Sequence, residues 1–300
     1  MTESLTKTLF EEIVQSDLFT FYVGDNKTPF TVHTKAVAAT SRVFDSLLNG
    51  GMSEAQSRSA ELENVDPATF VRFLEYAYRH DYTDPFCVQD LPSNENGVKD
   101  PGVFVVPPTQ QATQVPPVAT SNWANSRSAP SAFGALPSVK KPERQSKNPV
   151  GSRAAFNRRE YANPSQISLP PRADNDARPL SPSLSFAPLF LAHARLYTLA
   201  DMRMVDPLKE LALYKLHKTL VRFELHPERL GDVVELARYA YEHGEDRSGD
   251  GKVDALRDMV VNYIACEMKV LGKHPGFRNL MDSGGEFAGD FWNIVSQELF

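Results

Sequence analysis

Apolar and polar residues alternate from Leu18 to Val23, with Phe19, Phe21 and Val23 on one side and Leu18, Thr20 and Tyr22 on the other. A period of two sends successive side chains to opposite faces, so this stretch predicts a strand covered on at least one face. Gly24, Asp25 and Asn26 tolerate the backbone angles of a tight turn, and Phe30-Thr-Val-His33 reads as the returning strand of a hairpin. The periodicity then changes. Lys35 to Ser41 and Val43 to Leu48 read as short helical pieces, Gly50-Gly51 follows them, and Ala60 to Val65 predicts another short strand. Asp66 before Pro67 is an N-cap followed by proline at the first helical position. From there Phe70, Phe73, Leu74 and Ala77 recur at helical spacing and would bury one stripe. Upstream, Leu9, Phe10, Ile13 and Val14 predict a short amphipathic helix before the first strand.

After His80 the pattern decays through Asp84-Pro85. Residues 101–187 hold 14 of the 22 prolines with many Ser, Asn, Gln and Ala, and only scattered apolar positions. Such a segment buries too little apolar surface to offset its ordering entropy, so 86–187 is expected to be a disordered, Pro/Ser-rich insert. An insert this long reads as a linker, a functional loop or a misassigned coding segment. Helical periodicity resumes at Pro188 and runs through Leu189 to Val205. Asp206-Pro207 repeats the cap-plus-proline start, and Leu208, Ala212, Leu216 and Leu220 follow at i+4 spacing. Three further stripes predict helices: Leu230, Val233, Val234, Ala237 and Tyr241; Val253, Leu256, Val260, Ile264 and Leu271; Phe287, Phe291, Val295 and Leu299. Stripes this broad read as packing faces, not as cofactor sites.

Charge divides along the same lines. Residues 101–187 carry ten Lys and Arg against four acids, net +6, which leaves −12 on the remainder of a chain of net charge −6. An acidic folded body argues against a nucleic-acid surface and favours basic protein partners or solubility. The two cysteines, Cys87 and Cys266, are far apart and form no CxxC or Cys/His cluster. That predicts neither a disulfide framework nor structural zinc, and fits a reducing intracellular compartment without separating nucleus from cytoplasm. The first ten residues lack the apolar core of a signal peptide, and no run of about 18 apolar residues predicts a membrane span.

In this linear order (strand, turn, strand, two helical pieces, Gly50-Gly51-Met52-Ser53-Glu54, strand, Asp66-Pro67 helix) the stretch from Ser16 to Thr83 resembles the BTB/POZ domain. The run ending Ala194-Arg-Leu-Tyr197-Thr-Leu199 resembles a later helix of that family, and the insert with its helical tail resembles fungal-type members. The resemblance implies an α+β fold, a short β-sheet capped by a helical cluster, that binds proteins and has no catalytic centre. It implies this layout: 1–85, first part of the domain; 86–187, insert; 188–222, its last helices; 223–300, a C-terminal helical extension.

The same resemblance marks candidate sites. Met52-Ser53-Glu54 matches the apolar-x-Glu element with which BTB adaptors grip the cullin scaffold of a ubiquitin ligase, the apolar chain filling a pocket and the carboxylate orienting a polar contact. Asp17 matches the acid of the family's dimer pocket, but Thr34 stands where its basic partner is expected and Lys35 comes one place later. A strand-start cap is the competing reading of Asp17. His33 has no nucleophile or acid in a recognisable arrangement, and the family's histidine there is structural. Asp246, Ser248, Asp250, Gly251 and Asp254 fall at calcium-loop spacing, yet the closing Glu is replaced by Arg257, so a polar surface loop is expected. Lys140, Lys141, Arg144 and Lys147 could serve nuclear import, and Ser181-Pro182 a proline-directed kinase. No phosphate loop or dinucleotide fingerprint is present, and no cofactor is expected. The expectation is a non-enzymatic interaction protein, a cullin adaptor or homodimer-forming partner; the alternative is a self-associating scaffold or nuclear co-regulator.

Overall fold

Phe19, Phe21 and Val23 point into the interior from strand β1 (Leu18–Val23), while Leu18 and Tyr22 face solvent. The computed structural model describes residues 9–85, 88–89, 152–165, 184–247 and 251–299. These belong to one compact unit. Helix α1 (Leu9–Val14) precedes β1, and Gly24 at φ +72° turns the chain into β2 (Thr28–His33). The two strands pair antiparallel, from Leu18 opposite His33 to Val23 opposite Thr28. On the other edge β1 pairs in parallel with β3 (Ser59–Leu62), so the strand order is β2-β1-β3. A parallel partner requires a crossover. Here it consists of α2 (Thr34–Ala38), α3 (Arg42–Asn49) and α4 (Ser53–Ser57).

Helix α5 (Pro67–Arg79) begins as its first residues dictate: the Asp66 carboxylate accepts the Thr69 amide at 3.0 Å and Pro67 sets the first turn. It lays an aromatic stripe on the sheet. Phe73 stacks on Phe44 at 4.8 Å, and Phe70 meets Phe21 at 5.2 Å and Phe30 at 5.4 Å. Each fully buried ring is worth about 2–3 kcal/mol of transfer free energy, so this cluster is the main support of the sheet.

Beyond α5, β4 (Val88–Gln89) pairs antiparallel with β5 (Leu184–Ser185), so the chain leaves and re-enters at one place. Between them lies α6 (Arg153–Asn157). Two long helices follow, α7 (Ala187–Met202) and α8 (Asp206–Arg222). Helix α7 is apolar on nearly every side because it is a shared wall. Leu196, Leu199 and Ala200 pack into the sheet cluster, whereas Phe190, Ala194 and Tyr197 pack into a second cluster. Helix α8 divides likewise, Leu208 and Leu211 going to the first and Ala212, Leu216 and Leu220 to the second. The second cluster is completed by α9 (Leu230–His243), α10 (Ala255–Cys266), α11 (Met268–Leu271), α12 (Pro275–Asp282) and α13 (Glu286–Leu299).

Several expectations change in detail. Residues 152–165, read as part of the 86–187 insert, are ordered against the helices, with Phe156 only 2% exposed in the second cluster. Insert positions 88–89 and 184–187 are described as well, in β4, in β5 and at the start of the next helix, whereas the others, with Lys140, Lys141, Arg144, Lys147 and Ser181, lie outside the described residues. Asp206 is the first residue of α8 and not its cap. The turn before it is set by Met204 at φ +53° and by fully buried Val205, whose amide bonds the Ala200 carbonyl at 2.8 Å. Helix α12 was missed because its signal is weak: His274 caps it through Nδ1 and Pro275 starts it, but only Phe277 and Leu280 are buried.

Candidate partner-binding surface

The Met52 loop is shaped by glycine. Ser41 caps α3, its hydroxyl accepting the Phe44 amide at 3.2 Å. At the other end the Gly50 amide bonds the Ser46 carbonyl, and a Cβ on Gly50 would lie 2.1 Å from that oxygen. Only glycine lets the chain pass there, and it aims the following residues outward. Met52 takes the N-cap position of α4 in extended conformation, with its side chain 60% exposed. Glu54 lies in the first turn, where its own amide and the Ser53 hydroxyl, 2.9 Å away, hold its carboxyl below the usual range. The pair therefore presents an apolar chain and a fixed negative charge side by side.

The loop is tied back by Arg58, which closes α4 in the left-handed region at φ +56°. Its Nη2 donates to Asp17 Oδ2 at 2.7 Å. Two candidate features thus meet through a residue the sequence reading did not single out. Asp17 and Lys35 are not paired with each other: Lys35 Nζ lies 3.0 Å from Glu12 on α1. The Lys35 amide also donates to Ser16 Oγ at 3.2 Å, fastening α1 to α2. Helix α1 shows solvent an apolar face, with Leu9, Phe10 and Val14 exposed and Leu18 of β1 exposed as well. These ion pairs are open to solvent and contribute less than about 1 kcal/mol each, so they orient the elements without holding them.

His33 is structural. Its amide donates to the Tyr78 hydroxyl at 3.0 Å, and its Nδ1 lies at the same distance from that oxygen. Arg257, expected on a polar surface loop, is instead 3% exposed. Its guanidinium donates to the carbonyls of Ala240, Tyr241 and Gly244 at 3.3, 3.1 and 2.9 Å, satisfying the C-terminal end of α9. It also bonds Asp246 at 3.1 Å and pairs with Glu286. A buried cation stands where the closing acid of a calcium site would be, and of the expected ligands Ser248 and Asp250 lie outside the described residues. Among the described residues, no cluster of three or more His, Cys, Asp or Glu could hold a metal ion. A cleft of about 360 Å³ near Arg238, Glu242 and Glu286 has no nucleophile paired with a base. No helix among the described residues is long and apolar enough to cross a membrane.

A hairpin extended by a parallel strand, with short helices in the crossover and α5 packed beneath, is the arrangement seen over residues 9–79. Residues 7–91 match the family model of the BTB/POZ domain. This segment is a BTB/POZ domain. BTB/POZ domains are protein–protein interaction modules, and the helical C-terminal region follows one here. No curated protein matches the chain. The matched span ends at residue 91, yet the apolar cluster around its sheet also takes in Leu196, Leu199, Val205, Leu208 and Leu211.

Proposed function

We propose that this chain is a non-enzymatic BTB adaptor that docks on a cullin-type scaffold through Met52, Ser53 and Glu54. The observation that carries it is the outward display of Met52, an apolar side chain 60% exposed beside a carboxylate held ionised. Burying such a chain in a partner pocket contributes about 1.5–3 kcal/mol, enough to anchor a contact. The full chain and Met52→Asp and Glu54→Lys variants, each titrated against a purified cullin N-terminal region, test the reading. Loss of binding in both variants with unchanged melting curves supports it; equal binding by all three proteins removes it.

In this reading residues 1–85 and 188–222 form one domain split by the insert, and 223–300 form an extension that holds the client. The support is the apolar cluster shared by β1, α5, α7 and α8.

A second reading is self-association, as a scaffold or nuclear co-regulator, favoured by the exposed Leu9, Phe10 and Val14 on α1. Asp17 and Lys35 would then border the interface as its charged rim. Light scattering of the full chain and a Phe10→Glu variant tests it: a dimer that the substitution converts to monomer supports the reading, and a wild-type monomer at high concentration sinks it.

A further inference from the structure

Residues 152–165 lie against the helices in the manner of a bound peptide. Their only regular element is α6, five residues long and too short to persist alone. Four side chains hold the segment in place. Arg153 donates through Nη1 to Glu267 at 2.9 Å and through Nη2 to the carbonyls of Leu220 and Phe223 at 2.7 and 3.1 Å, at the end of α8. Its guanidinium also covers the Tyr263 ring at 4.7 Å. Phe156 is buried between His217 and Tyr263, at centroid distances of 5.0 and 5.3 Å, and its carbonyl lies 3.0 Å from His217 Nε2. Arg159 donates to Asp258 at 2.7 Å, and Tyr161 lies against His217 at 4.9 Å.

This is the anatomy of a recognition site: one desolvated aromatic anchor flanked by charge-assisted contacts at its rim. The receptor side is acidic where the segment is basic, Glu267 and Asp258 facing Arg153 and Arg159. In sequence, residues 90–151 separate the segment from β4 and residues 166–183 separate it from β5. We propose that the cleft between α8 and α10 is a peptide-recognition site for an Arg-x-x-Phe-x-x-Arg-x-Tyr segment, filled here by the chain's own residues 152–165 as a detachable ligand in cis. Tethering keeps its effective concentration high, so a partner presenting the same pattern must compete with it.

The test uses the full chain with protease recognition sequences placed at 149–150 and 167–168. After cutting at both, the released piece is washed out by gel filtration and followed by mass spectrometry. A fluorescent peptide spanning 150–167 is then titrated into cut and uncut protein, with circular dichroism read in parallel. The expected result is saturable binding to the cut protein, weaker by about tenfold or more both for the uncut protein and for a Phe156→Ala peptide. The proposal is overturned by any of three outcomes: the piece never leaves against excess peptide, its departure melts the helices, or cut and uncut proteins bind equally. The first two would make the segment an integral part of the core. The third would show that nothing competes in cis.

Discussion

The Tyr82 hydroxyl lies 2.7 Å from Nδ1 of His193, and both side chains are buried although 111 residues separate them in sequence. The contact fastens the chain just after α5 to the middle of α7. Lys215 of α8 reinforces it, pairing with Asp81 at 2.8 Å and Asp84 at 3.3 Å, donating to the Tyr82 carbonyl and lying over the Tyr82 ring at 4.2 Å. This knot joins the two sides of the insert.

His193 makes the knot sensitive to acid. Burial lowers its pKa from 6.5 to about 4; the cations Lys215 and Arg72 add to the fall, and Asp84 opposes it. The folded state thus refuses a proton that the unfolded chain accepts below 6.5. The stability this group contributes is complete above pH 6.5 and is lost as pH falls from 6.5 towards 4, by about 3 kcal/mol in all. Melting temperature measured across that window should drop, and His193→Gln should flatten the drop. A variant as acid-sensitive as the wild type would assign the effect to other groups.

Arg257 offers a second prediction. Removing it takes the donor from the Tyr241 and Gly244 carbonyls, leaves the Ala240 carbonyl with the Gly244 amide alone, and breaks the pair with half-exposed Glu286. Denaturant unfolding of Arg257→Ala should show a loss of about 2–3 kcal/mol. Arg257→Lys should recover little of it, because an ammonium cannot reproduce the planar fork that reaches three carbonyls at once. Full stability in the lysine variant would contradict this account.

Gly50 and Gly51 are adjacent but should behave differently. Alanine at 50 would place a Cβ 2.1 Å from the Ser46 carbonyl, whereas alanine at 51 would meet nothing within 4 Å. Gly50→Ala should therefore cost about 1–3 kcal/mol and shift the Met52 loop. Gly51→Ala should fall within about 0.5 kcal/mol of wild type. Paired melting curves decide it, and equal effects at both positions would remove the steric argument.

Much of the fold could be read from adjacent residues. The alternation of Phe19, Phe21 and Val23, the Asp66-Pro67 start and the four-residue spacing from Leu208 are local patterns, and each became the element it predicted. Met52-Ser53-Glu54 was marked only by the family resemblance, and the constraint on Gly50 shows only once the Ser46 carbonyl is in place. Phe156 and Tyr161 were not readable, because two aromatics among arginines and asparagines make no local pattern. The burial of Phe156 and the partial cover of Tyr161 depend on His217 and Tyr263 arriving from far along the chain. Arg257 looked like a surface charge for the same cause: its carbonyl partners belong to another helix.

The amino-acid order by itself determined which segments become strands and helices and which faces are apolar, because those choices are made by side chains within a turn or two of one another. Tertiary structure alone decided that α7 would be the wall between two cores, that Arg58 would reach Asp17, and that residues 152–165 would fill a cleft. Those outcomes depend on groups dozens of residues apart excluding water from one another, and no local window contains both partners.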